Sequence, residues 1–103
     1  MIRATIAALA VAASPALACD EEREAATSWL ATATCGEVRD NLRHPYAEVP
    51  GSVEHHRKQA MLTVLAGTAT ATGQRGDEVA AKTLAWCAAA RDRKFSEAIR
   101  SFY

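Results

Sequence analysis

Two adjacent stretches decide the class of this chain: DEVAAKTLAWCAAA at residues 77–90 and RDRKFSEAIRSF at residues 91–102. In the first, Val79, Thr83, Trp86, Cys87 and Ala90 share one face at helical spacing. In the second, Phe95, Ala98, Ile99 and Phe102 stand at i, i+3, i+4 and i+7, the apolar stripe of an amphipathic helix. Asp77 and Asp92 are placed to cap these two helices, and Gln74-Arg75-Gly76 is the turn before the first.

Working back along the chain, Ser52 is a good N-cap and Glu54 falls in the first turn after it, where the helix dipole favours an acid. Met61, Val64, Leu65, Thr68 and Ala69 then form one stripe. The stretch from Gly67 to Gly73 alternates Thr and Ala in a strand-like way, but Ala has too little bulk to support a sheet face. The helix is therefore expected to run to about Thr72, with Gly67 allowing close packing and Gly73 as the stop. A stop at Gly67 is the competing reading. Thr34-Cys35-Gly36-Glu37 matches a capping box and opens a helix to about Arg43, with Val38 and Leu42 on one face. Pro45 forces His44 out of the helical region and ends it. Residues 45–51 are read as a loop closing on Pro50-Gly51.

Residues 20–32 are rich in Glu and Ala and can be helical, but their only large apolar side chains are Trp29 and Leu30. Residues 19–33 are accordingly read as a loosely ordered N-terminal segment before a helical domain at 34–103. No strand signal appears after residue 18. The expected class is all-α, with four to five short helices.

Residues 1–18 have the order of parts of a cleavable secretory signal. Arg3 supplies the positive start, Ala4 to Ala13 are apolar apart from Thr5, and Ala16-Leu17-Ala18 is a small-x-small cleavage pattern. The apolar run is too short for a bilayer span, which takes about 20 residues, and no second apolar span follows. The expected location is the periplasm. Cys19 would then be the first residue of the mature chain, and a lipid anchor on it is the minor alternative. Removal of residues 1–18 from 103 takes away Arg3, one of 12 Lys and Arg, against 12 Asp and Glu. The resulting charge near −1 lacks the basic excess of a nucleic-acid binder.

So small a core calls for a staple, and export would place the cysteines in an oxidising compartment. Cys19, Cys35 and Cys87 allow three single pairings. Cys35 and Cys87 lie within predicted helices while Cys19 sits at a chain end, so the expected pair is Cys35 with Cys87.

Catalytic patterns are weak. Cys87 with His44 or His55 as base competes with the disulfide and loses. Glu37 and Asp40, at i and i+3, could pair as catalytic carboxylates do, but Glu37 has its capping role and Arg39 and Arg43 stand nearby. His55 and His56 point about 100° apart on a helix, and no ligand spacing completes a metal site with them and His44. They are read as a solvated surface that gains charge in acid. The basic run at Arg91, Arg93 and Lys94 suits a helix C-terminus, with an anionic-lipid contact as a weaker reading. The expectation is no enzyme, no cofactor and no metal.

The arrangement of these parts resembles the HdeA/HdeB family of small periplasmic acid-stress chaperones. The features that carry it are the secretory signal before a short domain, Thr34-Cys35-Gly36-Glu37, the central helix with Leu65-Ala66-Gly67 and Gly73, and Trp86-Cys87 followed by Phe95 and a final amphipathic helix. The two cysteines match the positions of that family's single disulfide. The resemblance implies a fold that is inactive at neutral pH, often as a homodimer, and that loosens in acid to hold unfolded periplasmic client proteins through apolar surface. Here Met61, Leu65, Trp86, Phe95, Ile99 and Phe102 would be that surface. The charge would rise to about +15 near pH 2, when all 12 carboxylates are protonated, and self-repulsion on this scale destabilises a compact state. The alternative is a periplasmic binding or inhibitor module, immunity-like, with no catalytic activity.

Overall fold

The computed structural model describes residues 20–103; the signal-peptide reading of residues 1–18 and the fate of Cys19 lie outside them. Among the described residues there are five α-helices and no strand: α1 at residues 20–32, α2 at Cys35–Arg43, α3 at Val53–Thr72, α4 at Gly76–Ala89 and α5 at Phe95–Arg100, with a 3-10 turn at Pro45–Glu48 between α2 and α3. The all-α expectation holds.

Local chemistry accounts for most boundaries. Thr34 caps α2 as a capping box: the Glu37 N–H donates to its hydroxyl at 3.1 Å, and the Thr34 N–H donates to the Glu37 carboxylate at 3.1 Å. His44 is extended before Pro45, as the proline requires. Its Nδ1 then accepts from the Tyr46 N–H at 3.1 Å and caps the 3-10 turn. Ser52 caps α3 by accepting from the His55 N–H at 3.0 Å.

The Thr-Ala stretch is helical to Thr72, not stopped at Gly67. Thr68, Thr70 and Thr72 each donate to the carbonyl four residues back, at 2.9, 3.1 and 2.7 Å. The hydroxyls are satisfied within the helix, so it needs no sheet partner. Gly73 ends it in the left-handed region at φ 69°, which glycine enters without a Cβ clash. Gly67 does not serve close packing, because a Cβ there would meet nothing within 4 Å.

Two caps differ from expectation. The N-cap of α4 is Arg75, and Asp77 lies inside the first turn, where its carboxylate accepts from the Arg75 guanidinium and from the Glu78 N–H. The N-cap of α5 is Lys94, and Asp92 stays exposed in the preceding turn. The cause is tertiary. Thr34 and Lys94 form an isolated antiparallel bridge; the Cys35 N–H donates to Arg93 O at 2.8 Å and the Phe95 N–H to Ala33 O at 3.0 Å. These bonds hold residues 93–95 extended, so α5 cannot begin until Phe95.

Of the residues 19–33 read as a loosely ordered segment, Cys19 lies outside the described residues. Residues 20–32 are helical, and Ala26, Leu30 and Ala33 are buried. The stripe was carried by alanines, which add little apolar area but let the helix approach the core closely. Trp29 packs against the same core, with the Arg57 guanidinium 4.6 Å from its ring centroid.

The core gathers Leu30, Cys35, Val38, Met61, Leu65, Val79, Cys87, Phe95 and Ala98 into one cluster drawn from all five helices. Cys35 and Cys87 are disulfide-bonded, with Cα atoms 5.0 Å apart and 52 residues of separation. Closing a loop of this length stabilises the fold by about 4 kcal/mol in the chain-entropy account.

Candidate functional site

The six residues expected to form a client-binding surface come together in one place. Met61 and Leu65 of α3 and Phe95 of α5 are buried in the core cluster; Trp86, Ile99 and Phe102 are partly buried against it. Phe102 follows the end of α5 at Arg100 rather than lying within the helix. In the folded state the surface is therefore mostly covered.

An opening reaches this apolar interior beside the outer helices. A groove of about 330 Å³ lies where α1, α3 and α5 meet, with Leu30, Val64, Phe95 and Ile99 as its apolar lining and Thr27 and Arg100 beside them. Phe95 is only 2% exposed, so the groove bares little of it. Leu30 and Val64 were not among the expected surface residues. Ala26, Leu30 and Ala33 at i, i+4 and i+7 could have revealed the first, had alanine been counted as a core residue. Val64 stood in the α3 stripe but was outranked there by Met61 and Leu65.

The walls of this groove are α1 and α5, and both lie outside the loop that the Cys35–Cys87 bond closes. Noncovalent contacts alone hold them down. On α1, Glu22 Oε2 lies 2.7 Å from His56 Nε2 of α3. On α5, Glu97 pairs with Arg93. Elsewhere Glu48 pairs with Lys58, linking the 3-10 turn to α3. The hydrogen bond from Lys58, and then its charge, hold the Glu48 carboxyl below the ordinary carboxylate range, with His55 adding to the effect and desolvation opposing it.

His44 is exposed, as the sequence reading expected, but His55 and His56 are not a solvated surface. His55 is partly buried, and its Nδ1 stands 3.0 Å from the Ala47 carbonyl oxygen, a contact that requires the proton on Nδ1. The His56 side chain is only 14% exposed. The 3-10 turn and α1 cover these rings, which helical periodicity within α3 cannot foresee. Among the described residues no three His, Cys, Asp or Glu side chains cluster as metal ligands. Cys87 is consumed by the disulfide, Glu37 by the capping box, and Asp40 accepts from Arg39 at 3.2 Å. No helix among the described residues is long and apolar enough to cross a membrane.

These features define a small all-α domain stapled by one disulfide, with an apolar groove between its two untethered end helices. No family model matches the chain, and neither does any curated protein or solved structure.

Proposed function

We propose that the protein is a periplasmic acid-stress chaperone, processed after Ala18, that loosens at low pH and holds unfolded client proteins through the apolar faces of its end helices. The carrying observation is the placement of α1 and α5 outside the disulfide loop, over an apolar groove, with the Glu22–His56 contact among those that hold α1. Protonation of Glu22 removes that contact. Protonation of the other carboxylates leaves a strongly cationic chain whose self-repulsion favours opening. Displacement of α1 or α5 bares Leu30, Val64, Phe95 and Ile99. The disulfide keeps α2, α3 and α4 within one covalent loop, so the opened chain stays compact enough to present a surface. The resemblance to HdeA and HdeB in cysteine placement and helix order supports the same reading.

The test is light scattering from an acid-sensitive client brought to pH 2 with and without the protein, beside near-UV circular dichroism of the protein alone. The protein should lose tertiary signal and suppress scattering. Phe102→Ser, at a half-buried position past the end of α5, should still fold at pH 7 and protect less well; Phe95→Ser should protect less again. Equal scattering in both samples, with tertiary packing shown to be lost, would overturn the chaperone reading and leave the binding or inhibitor module.

A further inference from the structure

A different groove, also of about 330 Å³, lies between α2 and α4 beside the disulfide. Val38 and Leu42 of α2 and Leu84 of α4 give it apolar walls, and Arg39, Arg43 and Arg91 line it as well. No acidic residue lines it. Leu84 is 50% exposed in the middle of α4, so its side chain is open to a ligand in the groove.

The three arginines are poorly matched within the chain. Arg39 donates through one Nη2 to its neighbour Asp40 at 3.2 Å, but its Nε is buried and has no hydrogen-bond partner. A buried donor left unmatched is costly. Arg43 and Arg91 take part in none of the ion pairs among the described residues. Arg91 is held in place by its backbone, whose carbonyl accepts from the Gly36 N–H at 2.9 Å. This backbone bond sets the α4–α5 turn, and with it Arg91, against the start of α2.

Guanidinium groups beside an enclosed apolar wall complement one kind of molecule. We propose that this groove binds a free amphipathic anion, a carboxylate with an alkyl chain, as distinct from a membrane surface or a protein. The carboxylate would meet the planar donors of the arginines, which bind carboxylates in a forked geometry. The chain would lie on Val38, Leu42 and Leu84. The volume is at the small end of ligand pockets, which run from about 300 to 1,000 Å³, and it suits a single medium-length chain. A concave site of this size encloses one molecule and does not fit a flat bilayer face.

The experiment is a titration of the purified protein at pH 7 with sodium decanoate below its micellar range, followed by 15N–1H NMR and calorimetry. Saturable one-to-one binding is expected, with shifts centred on Val38, Leu42 and Leu84. Arg43→Gln and Arg91→Gln, both at exposed positions, should each weaken it about tenfold, the scale of one charge-assisted hydrogen bond. Leu84→Asp should abolish it, and decanol should bind at least about tenfold more weakly than decanoate. Absence of saturable decanoate binding would overturn the proposal. So would equal affinity for decanol, or shifts centred on Val64 and Ile99 in the other groove. Arginine-dependent sedimentation with phosphatidylglycerol vesicles, without binding of free decanoate, would overturn it in favour of a lipid surface.

Discussion

Nε2 of His56 and Oε2 of Glu22 meet at 2.7 Å across the interface of α3 and α1. The nitrogen is buried, and the approach is off the line of a hydrogen bond. The contact is therefore electrostatic, and it becomes an ion pair only when the imidazole is protonated and the carboxylate is not. Glu22→Gln should consequently weaken the hold on α1. The loss should reach up to about 1 kcal/mol, the range for a pair whose acid is half exposed. Hydrogen exchange over residues 20–32 should speed up in the variant. Identical exchange at every pH would show that α1 is held by packing alone, through Leu30 and the Trp29–Arg57 contact.

Glu48 gives a second acid-sensitive tie with a definite sign. Its carboxyl is held below the ordinary value in the folded state, first by the hydrogen bond from Lys58 and then by that cation's charge. A depressed folded-state value means that the contribution is fully present above the unfolded-state value of about 4.3 and is lost as pH falls through the lower folded value. Glu48→Gln should lower the melting temperature slightly at pH 7 and flatten its decline in acid. Glu48 is solvent-exposed and Lys58 partly so, so the effect should also shrink in high salt. A steeper acid decline in the variant would contradict this assignment.

Reduction of Cys35–Cys87 should cost about 4 kcal/mol, from the 52-residue separation that the bond closes. For a domain of this size that is a large part of the whole stability. Urea titration with and without reductant should show the midpoint falling sharply, and Cys35→Ala with Cys87→Ala should reproduce the reduced protein. A midpoint unchanged by reductant would mean that packing of Leu65, Val79 and Phe95 suffices alone.

Thr34 serves α2 as its cap and also carries the bridge to Lys94. Thr34→Ala removes the cap but keeps the backbone bridge, so it should destabilise by about 1 kcal/mol. Thr34→Ser should recover nearly all of it. Both are read from chemical denaturation at pH 7. A much larger loss in the alanine variant would show that the hydroxyl, which lies 3.0 Å from the Glu37 carboxylate, also fixes the α1–α2 junction.

The helical class was legible because its signals are local. The Phe95, Ala98 and Ile99 stripe, the Thr34 and Glu37 box, the Ser52 cap and the Gly73 stop each act within a turn or two of chain. The Cys35–Cys87 pairing followed from helix placement, and the structure contains it. The placement of α1 was less legible, because Ala26 and Ala33 are two of the three residues in its buried stripe and alanine looks the same on a solvated helix as on a buried one. The cap at Asp92 was misplaced because propensity names a good capping residue without knowing which backbone is held extended by a distant partner; the N-cap of α4 lies two residues before Asp77, at Arg75.

The amino-acid sequence by itself determined the helices, most of their ends and the residues able to form a core, since backbone propensity and side-chain periodicity are properties of neighbours in the chain. Only the tertiary structure decided that residues 93–95 bridge to 33–35 and delay α5. It also set His56 against Glu22 and gathered Arg39, Arg43 and Arg91 beside Leu84. Each of these depends on which helix faces cross in space. Between residues tens of positions apart, the distance is set by the packing of the whole core and by no spacing written along the chain.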